Sequence, residues 1–145
     1  MAGDLLRQTE RAATISLKAD AGLAALVPAA QIEPVAEAPA WPFIRLDGTQ
    51  AIPQGRGCTA RSEVTFLVHS FAKPRRNGSG QMVETARDHA ARINEAVVEA
   101  LQAHAYEVEG RHYKFIVRSS RLMMDAGEAD AWHAISSVLA RVYNG

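Results

Sequence analysis

The sequence predicts an α+β fold, with an antiparallel sheet of four to five strands packed against two main helices, one N-terminal and one long and central. Three observations predict it. Apolar residues recur at helical spacing in two segments, they alternate strictly in two others, and the alternating segments follow one another through turns rather than through helix after helix. The 145 residues are 48% hydrophobic and 22% charged, a globular composition long enough for one core and one domain spanning residues 1–145.

From residue 4 to about 18, Leu5, Ala12, Ile15 and Ala19 share a helical face, with Asp4 as a candidate N-cap. A second helical turn over 21–26 ends before Pro28, because proline disfavours helical backbone in the residue before it. Residues 29–42 hold prolines at 34, 39 and 42 and read as a connector with a short extended piece near Ile32. Residues 43–48 read as a strand closed by an Asp-Gly turn, and residues 54–58 as a flexible loop.

Residues 63–71 alternate, with Val64, Phe66, Val68 and Ser70 on one face and Glu63, Thr65, Leu67, His69 and Phe71 on the other. Lys73-Pro-Arg-Arg-Asn-Gly-Ser-Gly has too little apolar content to pack and reads as a surface loop that orders only against a neighbour. A helix is expected over 81–103, its stripe formed by Ala86, Ala90, Ile93, Val97 and Leu101. At 1.5 Å per residue it is roughly 30 Å long, enough to cross a sheet.

Glu109-Gly110 reads as a turn. Tyr113, Phe115 and Val117 then alternate with His112, Lys114 and Arg118, and strand character can extend to Met124. Segment 132–143 fits either period. Its Trp, Ile, Ser and Val content and its lack of Glu and Lys favour strand.

Charge and composition exclude several classes of function. Sixteen basic and sixteen acidic side chains cancel, which disfavours general nucleic-acid binding by counterion release. The lone Cys58 permits no intramolecular disulfide, and no apolar run is long enough for a membrane span. The N-terminus lacks the order of a signal peptide, so a chain without membrane contact, folded in a reducing cytoplasm, is expected.

The five histidines lack metal-ligand spacing, so neither metal nor cofactor is expected. Cys58, after a glycine-rich loop, reads as packing rather than as a nucleophile, and Glu107 and Glu109 as a solvated turn. Gly78-Ser-Gly80 beside Lys73, Arg75 and Arg76 outlines a phosphate cradle without the rest of the P-loop pattern, and reads as a basic loop for a partner protein or passing DNA. A small hydrolase and a nucleic-acid-binding module are the competing classes.

The order of several stretches carries more information than any one of them. A helix runs into Leu17-Lys-Ala-Asp-Ala-Gly-Leu-Ala-Ala-Leu-Val-Pro, followed by Ile32-Glu-Pro and Trp41-Pro-Phe-Ile-Arg-Leu. Glu63-Val-Thr-Phe-Leu-Val-His-Ser-Phe precedes the helix with Ile93-Asn-Glu-Ala-Val-Val-Glu-Ala-Leu. An acidic turn and Trp132-His-Ala-Ile-Ser-Ser-Val-Leu-Ala-Arg-Val close the chain. This order, from Leu5 to Val142, resembles the tail-terminator, or tail-completion, proteins of long-tailed phages and gene transfer agents.

The resemblance implies a non-enzymatic structural protein of the virion or agent particle, assembled in the host cytoplasm. It implies a homo-oligomeric ring, a hexamer, that ends the tail tube at the head-tail junction. Its partners would be the major tail tube protein and the head-side stopper or connector, with DNA passing through the channel. A stopper or adaptor of the same neck is the nearest alternative. Subunit contacts would fall near 43–46, 75–79 and 122–125, naming Phe43, Arg45, Arg75, Arg76, Asn77, Met123 and Met124. Lys73, Arg75 and Arg76 would face the DNA or lumen.

Overall fold

A computed structural model describes residues 2–52 and 61–144. Helix α1 spans Ala2–Ala19, α2 Ala21–Ala24 and α3 Ala86–Gln102; the strands are β1 (Phe43–Ile52), β2 (Arg61–Ala72), β3 (Arg75–Arg76), β4 (Met82–Glu84), β5 (Tyr106–Val108), β6 (Arg111–Met124) and β7 (Trp132–Asn144). The main sheet has the order β1-β2-β7-β6-β5 with every pair antiparallel, and β3-β4 forms a separate two-stranded hairpin. The α+β expectation holds, with five strands in the main sheet.

The β2 alternation sorts as its pattern requires: Val64, Phe66, Val68 and Ser70 are buried. They face Ala12, Ala13 and Leu17 of α1 and Ala90, Ile93, Val97 and Leu101 of α3 in one core. Segment 132–143 is the strand that its β-branched content favoured, and it lies at the centre of the sheet. There it is paired on both sides, by β2 and β6. Both helices cover one face of the sheet. The opposite face, with Leu67, His69 and Phe71 half-buried, has no helix over it among the described residues.

Four boundaries differ from the sequence reading. Asp4 lies inside α1 rather than capping it, and accepts a 2.9 Å hydrogen bond from Gln8. The second turn is shorter, and its cap is Asp20, whose side chain accepts from Leu23 N. Asp47-Gly48 does not close β1. Gly48, at φ +65°, sits where the register with β2 shifts, and the strand runs on to Ile52. Such a bulge places one extra residue in the strand, and glycine takes its left-handed backbone without the Cβ clash.

The fourth difference is the stretch 73–85. It is an ordered hairpin, not an unstructured loop. The Asn77 side chain accepts from both Ser79 N (2.9 Å) and Gln81 N (3.0 Å), which folds the tip back on itself. The central helix therefore starts at Ala86, capped by the Thr85 hydroxyl on Asp88 N, instead of at 81. The loop expected over 54–58, including Cys58, lies outside the described residues.

Candidate assembly surface

The register aligns side chains in rows across the sheet. On the uncovered face Phe43, Phe71, His133 and Met123 form one row from β1 to β6, and Arg45, His69, Ile135 and Arg121 form the next. Phe43 stacks on Phe71 at 4.6 Å between centroids and Phe71 on His133 at 4.2 Å, while Trp41 meets Phe43 edge-on at 4.9 Å. Lys73 lies 4.8 Å from the centre of the Trp41 ring and 3.5 Å from Glu128. Aromatic edges, faces and cations in this arrangement attract beyond their area of contact.

The hairpin projects from the same end of the sheet. Arg75 pairs with Glu84 at 3.3 Å, Arg92 holds Glu84 through two bonds of 2.7 and 2.8 Å, and Arg76 donates to Gly80 O at 3.1 Å. The Arg92 guanidinium holds the Glu84 carboxyl below its ordinary value, against the opposing effect of burial, with Arg75 adding to the same side. Two apolar side chains of the hairpin, Met82 and Val83, stand about half exposed at 49% and 54%.

Phe43, Met123, Lys73 and the hairpin residues Arg75, Arg76 and Asn77 thus gather at one end of the sheet, although 80 residues separate the first two in sequence. Arg45 lies against Phe43, its guanidinium carbon 5.7 Å from the ring centre. Its guanidinium is bound to Pro34 O (3.1 Å) and Ala36 O (3.0 Å). Met124 pairs with Trp132, on the helix side of the sheet, and is 65% exposed.

Sequence spacing missed the histidine pair. His69 Nδ1 lies 2.7 Å from His133 Nε2, and His69 Nε2 donates to Asp47 Oδ1 at 2.7 Å. The only signal was the outward position of His69 in an alternating strand; its partner is 64 residues away and depended on the register of β7. Burial, reinforced by the neighbouring His69 ring, pushes the His133 imidazole below 6.5. The arrangement links carboxylate, imidazole and imidazole, and among the described residues it ends on a ring rather than on a hydroxyl or thiol nucleophile. No group of three or more metal-ligating side chains is placed to hold an ion among the described residues. Two larger concavities, of about 420 and 430 Å3, lie along α1, away from these histidines.

The outermost strand of the sheet on this side is equally informative. β5 pairs with β6 only at residues 111–113, so among the described residues no strand pairs with residues 114–124 of β6 on this side, a free edge within which Gln102 Oε1 accepts from Val117 N at 2.7 Å. The β1 edge is covered over residues 44–46: Ile32 bridges Ile44, Glu33 N donates to Ile44 O at 2.8 Å, and the Glu33 carboxylate accepts from Leu46 N.

A small α+β protein with one capped edge, one free edge and an aromatic row on a bare sheet face is built for contact with other proteins. The chain belongs to the tail completion protein gp17 family, which its sequence matches over residues 12–143. Membership makes it a structural component of a tailed particle. The fold is also similar to that of a chain in the structure "Virion of native gene transfer agent (GTA) particle", with a TM-score of 0.67 at 20% identity, covering 93% of this chain and 94% of that one. No curated protein matches the sequence.

Proposed function

We propose that this protein ends the tail tube as a ring of copies of itself, six in number, without catalytic activity. The ring sits at the head-tail junction, one side on the tube protein and the other on the head-side connector, with DNA passing through its channel. The observation that carries this reading is the free β6 edge in a chain of the tail-completion family. An edge of unpaired backbone groups invites uncontrolled pairing unless a partner covers it, and a rotational arrangement of copies covers every edge without forming a filament.

The hairpin tip, residues 76–80, is placed at the channel. Arg76 is the cation there that carries no ion pair among the described residues, since Lys73 and Arg75 are engaged by Glu128 and Glu84. Native mass spectrometry of the purified protein should give one closed oligomer, and particles lacking it should show tails of irregular length without heads. Normal, head-bearing tails on such particles would overturn the proposal. Any retention of DNA at low salt should weaken in Arg75→Ala/Arg76→Ala; retention that is unchanged removes the hairpin from the channel.

A further inference from the structure

Within the ring reading, on which this inference rests, we propose how one copy grips the next: the 34–40 loop of each subunit, led by Val35, seats in the groove between α3 and the β6 edge of its neighbour, with Glu37 against Arg118 and Arg121. Four observations converge on this pairing.

The first is charge. The chain as a whole is neutral, with sixteen cations and sixteen anions, but its edges are not. β6 carries Arg111, Lys114, Arg118 and Arg121 with no carboxylate, whereas residues 34–40 carry Glu37 and no cation of their own, Arg45 of β1 being engaged by the Pro34 and Ala36 carbonyls. Glu37, Arg118 and Arg121 have no ion pair among the described residues. Complementary potentials of this kind steer partners together and fix their register.

The second is the shape of the loop. Val35 is fully exposed, at 102%, on a segment that bends through residues 35–38 between Pro34 and Pro39. It is held in that position. Arg45 clamps the Pro34 and Ala36 carbonyls, and Gln31 Nε2 donates to Pro42 O at 2.5 Å and to Ala40 O at 3.3 Å. A single exposed aliphatic residue is ordinary on a protein surface; one presented on a clamped loop has already lost the entropy that docking would otherwise cost.

The third is the receptor. A groove of about 180 Å3 opens beside the free edge, lined by Ala91, Asn94, Ser120, Arg121, Leu122 and Ala134. A space of only about 10–15 Å3 holds one water, so the groove has room for a branched aliphatic side chain.

The fourth is register. Arg45, which holds the loop, lies in the same cross-sheet row as Arg121, and Ile44 in the same row as Leu122. Loop and groove therefore stand at one height on opposite edges of the sheet. Rotation about an axis running along the strands brings the loop of one copy to the groove of the next with no slide between them. Contacts of that heterologous kind close into rings when the rotation between copies divides a full turn.

The test is disulfide trapping in assembled tails. In a Cys58→Ser background, Val35→Cys together with Ala91→Cys should give, on mild oxidation, a ladder of covalent oligomers that stops at the ring size, and neither cysteine alone should do so. Independently, Arg118→Glu/Arg121→Glu should weaken self-association by about tenfold or more, and adding Glu37→Arg should restore it. That rescue separates a lost contact from a misfolded subunit. Rings that form without the ladder, or that ignore both charge changes, overturn this docking while leaving the ring itself intact. The absence of any discrete oligomer, with normal tails on particles lacking the protein, overturns the ring.

Discussion

Glu84 shows how much one side chain can hold in a small hairpin. It sits on β4, accepts two hydrogen bonds from Arg92 of α3 and pairs with Arg75 of β3, so it ties both hairpin strands to the helix behind them. Charge-assisted bonds of this kind are worth about 1.5–3 kcal/mol when shielded; Arg92 is 41% exposed, and solvent screening lowers the figure. Glu84→Gln should cost about 1 kcal/mol by urea unfolding and should increase amide exchange at residues 75–84. Because the folded carboxyl is held below its ordinary 4.5, its contribution is present above that value and fades as pH falls through the lowered one.

The His133 imidazole gives an acid sensitivity of the same sign, beginning at higher pH. Burial and the neighbouring His69 ring lower the His133 imidazole, Arg121 adds to this, and Asp125 and Asp47 oppose it. Between 6.5 and the lowered folded value the unfolded chain holds more protons on this residue, so stability falls as pH drops through 6.5. His133→Gln should flatten that part of the stability-pH curve while leaving the plateau above it nearly unchanged. A slope identical in the variant would assign the acid sensitivity to another group.

Elements were legible where a single period dominated. The β2 alternation and the α3 stripe name buried residues correctly, because every second or every third-to-fourth side chain must leave water. The hairpin was not legible. It is held by side-chain bonds from Asn77 and Glu84 and buries almost nothing, so neither hydrophobic period reports it. The start of α3 followed from that error: Gln81, Met82 and Val83 suit a helix by propensity, yet Thr85 sets the boundary by capping Asp88 N. Thr85→Ala should cost about 1 kcal/mol, measured by thermal or urea unfolding, with fraying confined to the first turn of α3.

Gly48 misled in the same way. An Asp-Gly pair usually turns a chain, but here the left-handed residue lies inside a strand, where the register with β2 shifts between Asp47 and Gln50. An added Cβ would meet Leu67 at an ordinary 3.4 Å, so the penalty for Gly48→Ala is conformational rather than steric, about 1–2 kcal/mol. The Asp47–His69 contact lies beside this bulge and is expected to loosen in the variant, visible as a change in the His69 imidazole resonances.

At the scale of the molecule, the proposed assembly surface was legible only in part. Phe43, Met123 and the basic stretch at 75–77 could be named from the resemblance, but their convergence on one end of the sheet required the pairing of β6 with β7 and of β7 with β2, contacts between segments far apart in sequence. The free β6 edge was invisible because it is defined by what fails to pair with it: β5 stops after three residues.

In the proposed ring, covering that edge would make the stability of the subunit a collective property. A partner that binds only the folded chain stabilises it by mass action, so the thermal midpoint of the wild-type protein should climb with protein concentration. For a chain of this length, each tenfold increase should raise it by about 3–5 °C once assembly is populated. Arg118→Glu/Arg121→Glu should need at least about tenfold more protein to reach the same midpoint while sharing the dilute limit of the wild type, because those arginines lie on the surface and leave the core of Phe66, Val97 and Tyr113 untouched. A concentration-independent midpoint in the wild type over the same range would mean that the β6 edge gains its cover only from the other proteins of the tail.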